Sequence, residues 1–379
     1  MFLSQDLSFW EKSTYFDKID FTVIGSGIVG LSAAITYREK FPKAKVVVVE
    51  RGVFPTGAST KNAGFACFGS VSELLEDYEI MGANTLLKLV AKRWNGLQRL
   101  RARCGDHYLD FQSFGGYELF LEKNDFWEKC VDFIPRINEK LTPILGVPNT
   151  FQVVDNPAAF GFGKVQAMIF NRFEGQINPA KMMERLRFIA NSLGIQILTG
   201  ITVSQLDDRA DFVALKLQKG PEIKSKKVLV ATNGMTKRLL PEVDLQPARN
   251  QVIITKPIPE LPLKGTFHFD NGYYYFRNFE NRILLGGARN MAKLEETTDE
   301  FGLTPLIQNT LETFLKEVIL PNQSYEIDHR WSGIMGVGAK KSPLIQKHSP
   351  NIGIAVRMGG MGVAIGSLVG EEGAQLFYK

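Results

Sequence analysis

Short apolar runs alternate along this chain with longer stretches in which apolar residues recur every three or four positions. The run at 21–24 (FTVI) predicts a strand entering GSGIVG, and Leu31, Ala34 and Ile35 predict the helix that follows it, ended by Phe41 and Pro42. The run at 46–50 (VVVVE) predicts a strand buried on both faces, which completes a βαβ unit. Residues 53–70 are expected to be loop, 73–103 helical, 107–122 strand and 124–143 helical. An amphipathic helix is predicted over 178–194, with Pro179 in its first turn and Gly194 past its end. Two short strands are expected in 195–207, and a hairpin in 212–231 that ends in the buried strand KKVLVAT. Four strands are expected between 247 and 290, a helix over 304–318, then short strands, a glycine cluster and a final helix.

Helical and β-rich stretches are interspersed, so the expected architecture is α/β with two interleaved domains. One is a Rossmann-like nucleotide-binding domain from 1–75, 150–235 and 325–379. The other is a substrate domain from 76–149 and 236–324, built on a mixed, largely antiparallel sheet with covering helices. A length of 379 residues agrees with more than one core.

Composition narrows the function by exclusion. Apolar residues make up 44% and charged residues 22%, as in ordinary globular proteins. The net charge of +5 comes from scattered Lys and Arg with no nucleic-acid motif, so no nucleic-acid partner is expected. Three cysteines without a CxxC pair, and four dispersed histidines, argue against a disulfide framework and against a structural metal. The N-terminal stretch is polar and no apolar run reaches the length of a membrane span, so a cytoplasmic location is expected.

The chemistry starts at GSGIVG. Gly25, Gly27 and Gly30 fit GxGxxG, with a strand before and a helix (Ile28, Val29 onward) after. Such glycines permit a tight turn, backbone approach to a pyrophosphate, and close helix–strand packing. Glu50, twenty positions beyond Gly30 and followed by Arg51, is placed to accept from a ribose diol. An acid there disfavours a 2′-phosphate.

The segment 57–65 (GASTKNAGF) then resembles the one that follows this acid in the superfamily of FAD-dependent D-amino-acid oxidase, glycine oxidase and sarcosine oxidase. The resemblance continues at Val203, at 226–234 (KKVLVATNG, with Ala231 and Thr232), at Gly333 and Met335, and at 357–370 (RMGGMGVAIGSLVG). It implies FAD. Ala58, Ser59, Thr60, Asn62, Ala63, Gly64 and Phe65 would lie along the flavin, and Gly359, Gly360, Met361, Gly362 and Val363 would open the last helix toward it. It further implies oxidation of the C–N bond in a small amine, D-amino acid or N-substituted amino acid, with oxygen or another electron acceptor.

In the strand 272–277 (GYYYFR), Tyr273 and Tyr275 share one face and Tyr274 and Phe276 the other. The resemblance puts Tyr274 on the substrate side, with Arg277 and Arg289 as candidates for an anionic group. The chain departs from the family in three places. Met335 stands where amino-acid-oxidising members carry an Arg, which shifts the expected anchor to Arg330 or Lys340. Leu284 replaces a Lys that promotes reaction with oxygen. No Cys follows Cys130, so FAD is expected to be non-covalent. His329 is read as structural rather than as a base. Two alternatives stay open: an FAD-dependent 2-hydroxy-acid dehydrogenase, and a non-catalytic FAD-binding subunit of a larger complex.

Overall fold

The valines of the second apolar run are buried to 2% exposure or less, and each such side chain contributes about 1.5–3 kcal/mol through burial. In the computed structural model, which describes residues 7–378, they form β2 (Val46–Val49), parallel to β1 (Ile19–Ile24), with α1 (Ile28–Lys40) crossing between them. The first six residues of the polar N-terminal stretch, and Lys379, lie outside the described part.

Around this unit runs an eight-stranded sheet. Its main path is Leu344–Lys347, Ile352–Val356, Ile223–Val230, β1, β2 and Gln196–Leu198, parallel except for its first pair. The meander Val203–Asp208 and Val213–Leu217 joins it antiparallel at Ile223–Val230. Val46–Val49 and Ile352–Val356 are buried at every position, hence on both faces, which explains their apolar sequences.

A second eight-stranded sheet runs Ile327–Val337, Gln246–Thr255, Arg282–Gly287, Tyr274–Phe279, Thr266–Phe269, Gly116–Phe120, Ala167–Asn171 and Phe151–Val153. It is antiparallel apart from the pair Thr266–Phe269 with Gly116–Phe120. Three of its strands fall within the stretches expected to belong to the nucleotide-binding part: Phe151–Val153, Ala167–Asn171 and Ile327–Val337.

Three local expectations are corrected. The helix expected over 73–103 is two, Val71–Met81 and Ala83–Cys104, because Gly82 takes φ +76° between them. The strand expected over 107–122 is only Gly116–Phe120. Asp106–Leu109 is a helical turn closed by left-handed Asp110, and beyond it Gln112 makes only an isolated bridge with Gln176 before the strand begins. The loop 53–70 contains the one-turn helix Ala58–Lys61 and the short strand Phe65–Ala66.

The last helix, Gly362–Gln375, packs between α1 and Ala83–Cys104. An added Cβ at Gly366 would meet Ile28 at 2.6 Å, and one at Gly370 would strike the Val29 carbonyl. The GxxxG spacing in this helix therefore allows both termini of the chain to approach one site. Among the described residues no helix is long and apolar enough to cross a membrane.

Candidate functional site

At the end of β1 the chain turns through Gly25 at φ +103°, where an added Cβ would meet the Ala231 carbonyl at 2.9 Å. Gly30 faces the Gly25 carbonyl so closely that any side chain would collide with it. Gly27 is the N-cap residue of α1 and brings no side-chain cap. The Ser59 hydroxyl oxygen, from the segment 57–65, accepts the Ile28 N–H at 3.0 Å instead. The positive end of α1 therefore opens on the cleft as a site for phosphate oxygens.

Glu50, just past β2 and 8% exposed, is held from two sides. Its Oε2 accepts from the Ser26 N–H at 3.0 Å and the Ser26 hydroxyl at 2.8 Å, and its Oε1 accepts the Gly52 N–H at 3.0 Å. A carboxylate offers about four lone-pair positions, so one remains for a ribose hydroxyl.

The segment 57–65 is held by its own side chains and by the second sheet. Asn62 Nδ2 donates to the Ala58 and Ser59 carbonyls, and its Oδ1 accepts the Gly64 N–H at 2.8 Å. Asn62 thus shapes the loop while lining the cleft. Trp331 Nε1 donates to the Lys61 carbonyl at 2.9 Å, which pins the helical turn to the strand Ile327–Val337. Phe65 meets His268 and Tyr275 edge-on, with ring centroids 5.2 and 5.7 Å apart.

One cavity of about 820 Å³ runs past all these parts, within the range of cofactor sites. Of the residues expected to bind the cofactor, it is lined by Gly25, Gly27, Ile28, Val29, Glu50, Arg51, Ala58, Ser59, Asn62, Ala63, Gly64 and Phe65. It is also lined by Val203, Ala231, Thr232, Gly333, Met335, Gly359, Gly360, Met361, Gly362 and Val363. Two expected residues do not line it. Gly30 lies behind the turn as a packing position, and the Thr60 hydroxyl donates to the Pro55 carbonyl at 2.8 Å. At the far end Met361 caps the last helix without a side-chain bond, so a second positive helix terminus faces the same cavity. Two helix N-termini, an acceptor at Glu50 and a long cleft between them fit an adenine dinucleotide with a flat ring at one end.

The substrate-side expectations fare differently. Tyr274 does not face the cleft: it is 7% exposed and packs on Phe269 and Phe314 in the core of the second sheet. Tyr273 and Tyr275 line the cleft instead. The alternation was read correctly, but the strand presents the other face, as a one-residue change of register does. Burial pushes the Tyr275 hydroxyl far up, with Asn250 opposing, so it stays a donor. Arg277 is buried and lines a separate pocket. Arg330 pairs with Glu312 at 2.8 Å and Gln308 at 2.7 Å, outside the cleft. Arg289 and Lys340 do line it, and among the described residues neither has an ion pair. Leu284 is buried against Ala63 and Val252. His329 is exposed and stacks on Trp331.

The sequence reading missed a buried polar cluster beside the cleft. His268 Nε2 donates to Glu174 Oε2 at 2.9 Å, which also accepts from Thr266 Oγ1 at 2.7 Å. Glu118 next to them accepts from Ser70 and Ser72, and burial pushes its carboxyl up. Burial opposes charge on His268, but Glu174, with Glu73 and Glu118, outweighs it and raises the imidazolium to about 9. Cys67 lies within 4.8 Å of these ligand atoms. His268, protonated, donates rather than coordinates. The available signal was parity: His268 and Glu118 interrupt apolar strands on faces that a covered sheet should keep apolar.

Comparison with known proteins agrees with this geometry. The family model described as FAD dependent oxidoreductase (DAO) matches residues 20–376. The chain is 23% identical over 385 residues to the probable oxidoreductase OrdL of Haemophilus influenzae, covering 97% of this chain and 84% of that protein. The fold is similar to L-proline dehydrogenase from P. horikoshii, with a TM-score of 0.75, 20% identity, and 95% and 93% of the two chains covered. It is also similar to glycine oxidase from Geobacillus kaustophilus, with a TM-score of 0.74, 18% identity and 94% of each chain covered. A dinucleotide cleft closed by both ends of the chain and a match along nearly its whole length lead to one conclusion: this protein belongs to the DAO family of FAD-dependent oxidoreductases.

Proposed function

We propose that this enzyme oxidises the C–N bond of a small amino acid, either a D-amino acid or an N-substituted one, or of a related amine. The observation that carries the reading is Arg289. It opens on the cleft without an ion pair among the described residues, beside the wall formed by Tyr273 and Tyr275. A guanidinium in that state is suited to a substrate carboxylate, held through paired N–H donors. Lys340, exposed on the same cleft, adds a second positive charge. Bound FAD supplies the hydride acceptor and passes the electrons on to oxygen or another acceptor.

The chain's own part is to orient and to exclude water. Tyr275 keeps its proton and donates, and Glu73 places a carboxylate on the cleft wall near Gly272 to favour an amine. An alcohol substrate would call for a general base. His268, the imidazole lining the cleft, is held protonated by Glu174, which favours the amine over the 2-hydroxy acid. The names of two proteins that share the fold, glycine oxidase and L-proline dehydrogenase, also speak for an amino acid.

The test is anaerobic mixing of the FAD-loaded enzyme with amines, amino acids and hydroxy acids, following the flavin absorbance. Bleaching by an amino acid is expected, with Arg289→Gln raising KM for carboxylated substrates more than for simple amines. Bleaching by hydroxy acids alone would overturn the proposal, and bleaching by nothing in the panel would favour a non-catalytic subunit. FAD is proposed to be non-covalent. Cys67, the one cysteine on the cleft, is buried with its thiol pushed well up, so denaturation should free all the flavin.

A further inference from the structure

Arg277 is 3% exposed, yet among the described residues its guanidinium makes no hydrogen bond and no ion pair. Its Nε is fully enclosed without a partner. An unpaired buried charge is costly, so such a group normally has a partner. Burial pulls this one down only to about 10, with Asp110 opposing, so it remains charged at neutral pH.

Arg277 lines a pocket of about 240 Å³ distinct from the FAD cleft. Polar side chains surround it: Gln176 donates to Gln112 at 2.7 Å and to Asn278 at 3.3 Å, and Lys264 stands exposed at the mouth. Two carboxylates also line the pocket, and neither lies within ion-pair distance of Arg277. Asp110 pairs with Lys181 at 3.2 Å, and Glu280 is exposed on the rim.

We propose that this pocket is a binding site for a small oxyanion, a carboxylate or a phosphate, held on the Arg277 fork with Lys264 at the mouth. The volume suits a small acid and is far too small for a second dinucleotide. The site adjoins the flavin segment from behind. An added Cβ at Gly64 would lie 3.2 Å from Arg277 Nη2, and the Gly64 carbonyl accepts the Ile177 N–H at 2.8 Å. An anion here would therefore steady the wall on which Ala63 and Phe65 are carried. The inference does not depend on the substrate proposed above.

The test is calorimetric titration of the FAD-loaded enzyme at constant ionic strength, with acetate in one arm, inorganic phosphate in the other and chloride as the balancing salt. One site per chain is expected for at least one anion, and the stronger arm names its source. Arg277→Gln should weaken binding at least tenfold. Arg277→Lys, which keeps the charge and loses the fork, should weaken it less, and Lys264→Ala about threefold. The last two keep the test open if Arg277→Gln does not fold. No binding in either arm would overturn the proposal, as would binding indifferent to Arg277. Binding that survives the Arg277 variants but is lost in Arg289→Gln would place the anion in the flavin cleft and also overturn it.

Discussion

The Ser59 hydroxyl oxygen accepts the backbone N–H of Ile28 at 3.0 Å, joining the segment 57–65 to the helix whose N-terminus opens on the cleft. Two stretches that look independent in sequence thus form one wall. Ser59→Ala leaves the first turn of α1 without that partner, at a cost of about 1 kcal/mol. FAD should then dissociate about fivefold more readily, as read by the fluorescence of released flavin. An unchanged dissociation constant would show that the contact does not support the cofactor site.

Glu50 receives three donors, two from Ser26 and one from Gly52. Glu50→Gln turns an amide N–H₂ toward one of them, which costs about 1–3 kcal/mol, and removes the charge that suits a ribose diol. FAD affinity should fall by roughly ten- to a hundredfold, with Glu50→Asp intermediate. Equilibrium titration of the apoprotein with FAD checks this, and equal affinities would remove Glu50 from the site.

Gly30 has no room for a methyl group against the Gly25 carbonyl. Gly30→Ala must push α1 off β1, although alanine is the better helix former. The variant should be purified without flavin and should unfold at lower denaturant concentration. A yellow, equally stable Gly30→Ala protein would contradict the packing described.

The His268–Glu174 pair makes stability depend on pH in one direction. His268 is raised to about 9, above its ordinary 6.5, so its contribution is complete below about pH 6.5 and is lost as pH rises through 9. The loss is on the order of 3 kcal/mol over that window. Urea unfolding between pH 6 and 9.5 should show the decline, and His268→Gln should flatten it. A wild-type profile as flat as the variant's would refute the charged pair.

The nucleotide-binding unit was legible because its signals are local. Val46–Val49 is apolar at every position, the glycines of GSGIVG punctuate a strand and a helix, and Glu50 follows directly. The helix Pro179–Ser192 was readable in the same way, from Pro179 in its first turn and Gly194 past its end. Around 105–115 the local pattern misled, because left-handed Asp110 and the turn after it interrupt what reads as a continuous apolar alternation.

What the sequence determined by itself was therefore the dinucleotide fingerprint, the alternation of elements and the two faces of 272–277. Which of those faces meets the cleft was decided only in the folded molecule. Tyr275 reaches the cavity and Tyr274 the core because strand pairing sets the register, and a period of two is unchanged by a shift of one. The same holds for His268 and Glu174, 94 positions apart, for Ser59 and Ile28, and for the solitary charge of Arg277. Periodicity reports which side of its own element a residue occupies. Its partner is supplied by distant segments, and only tertiary packing brings those together.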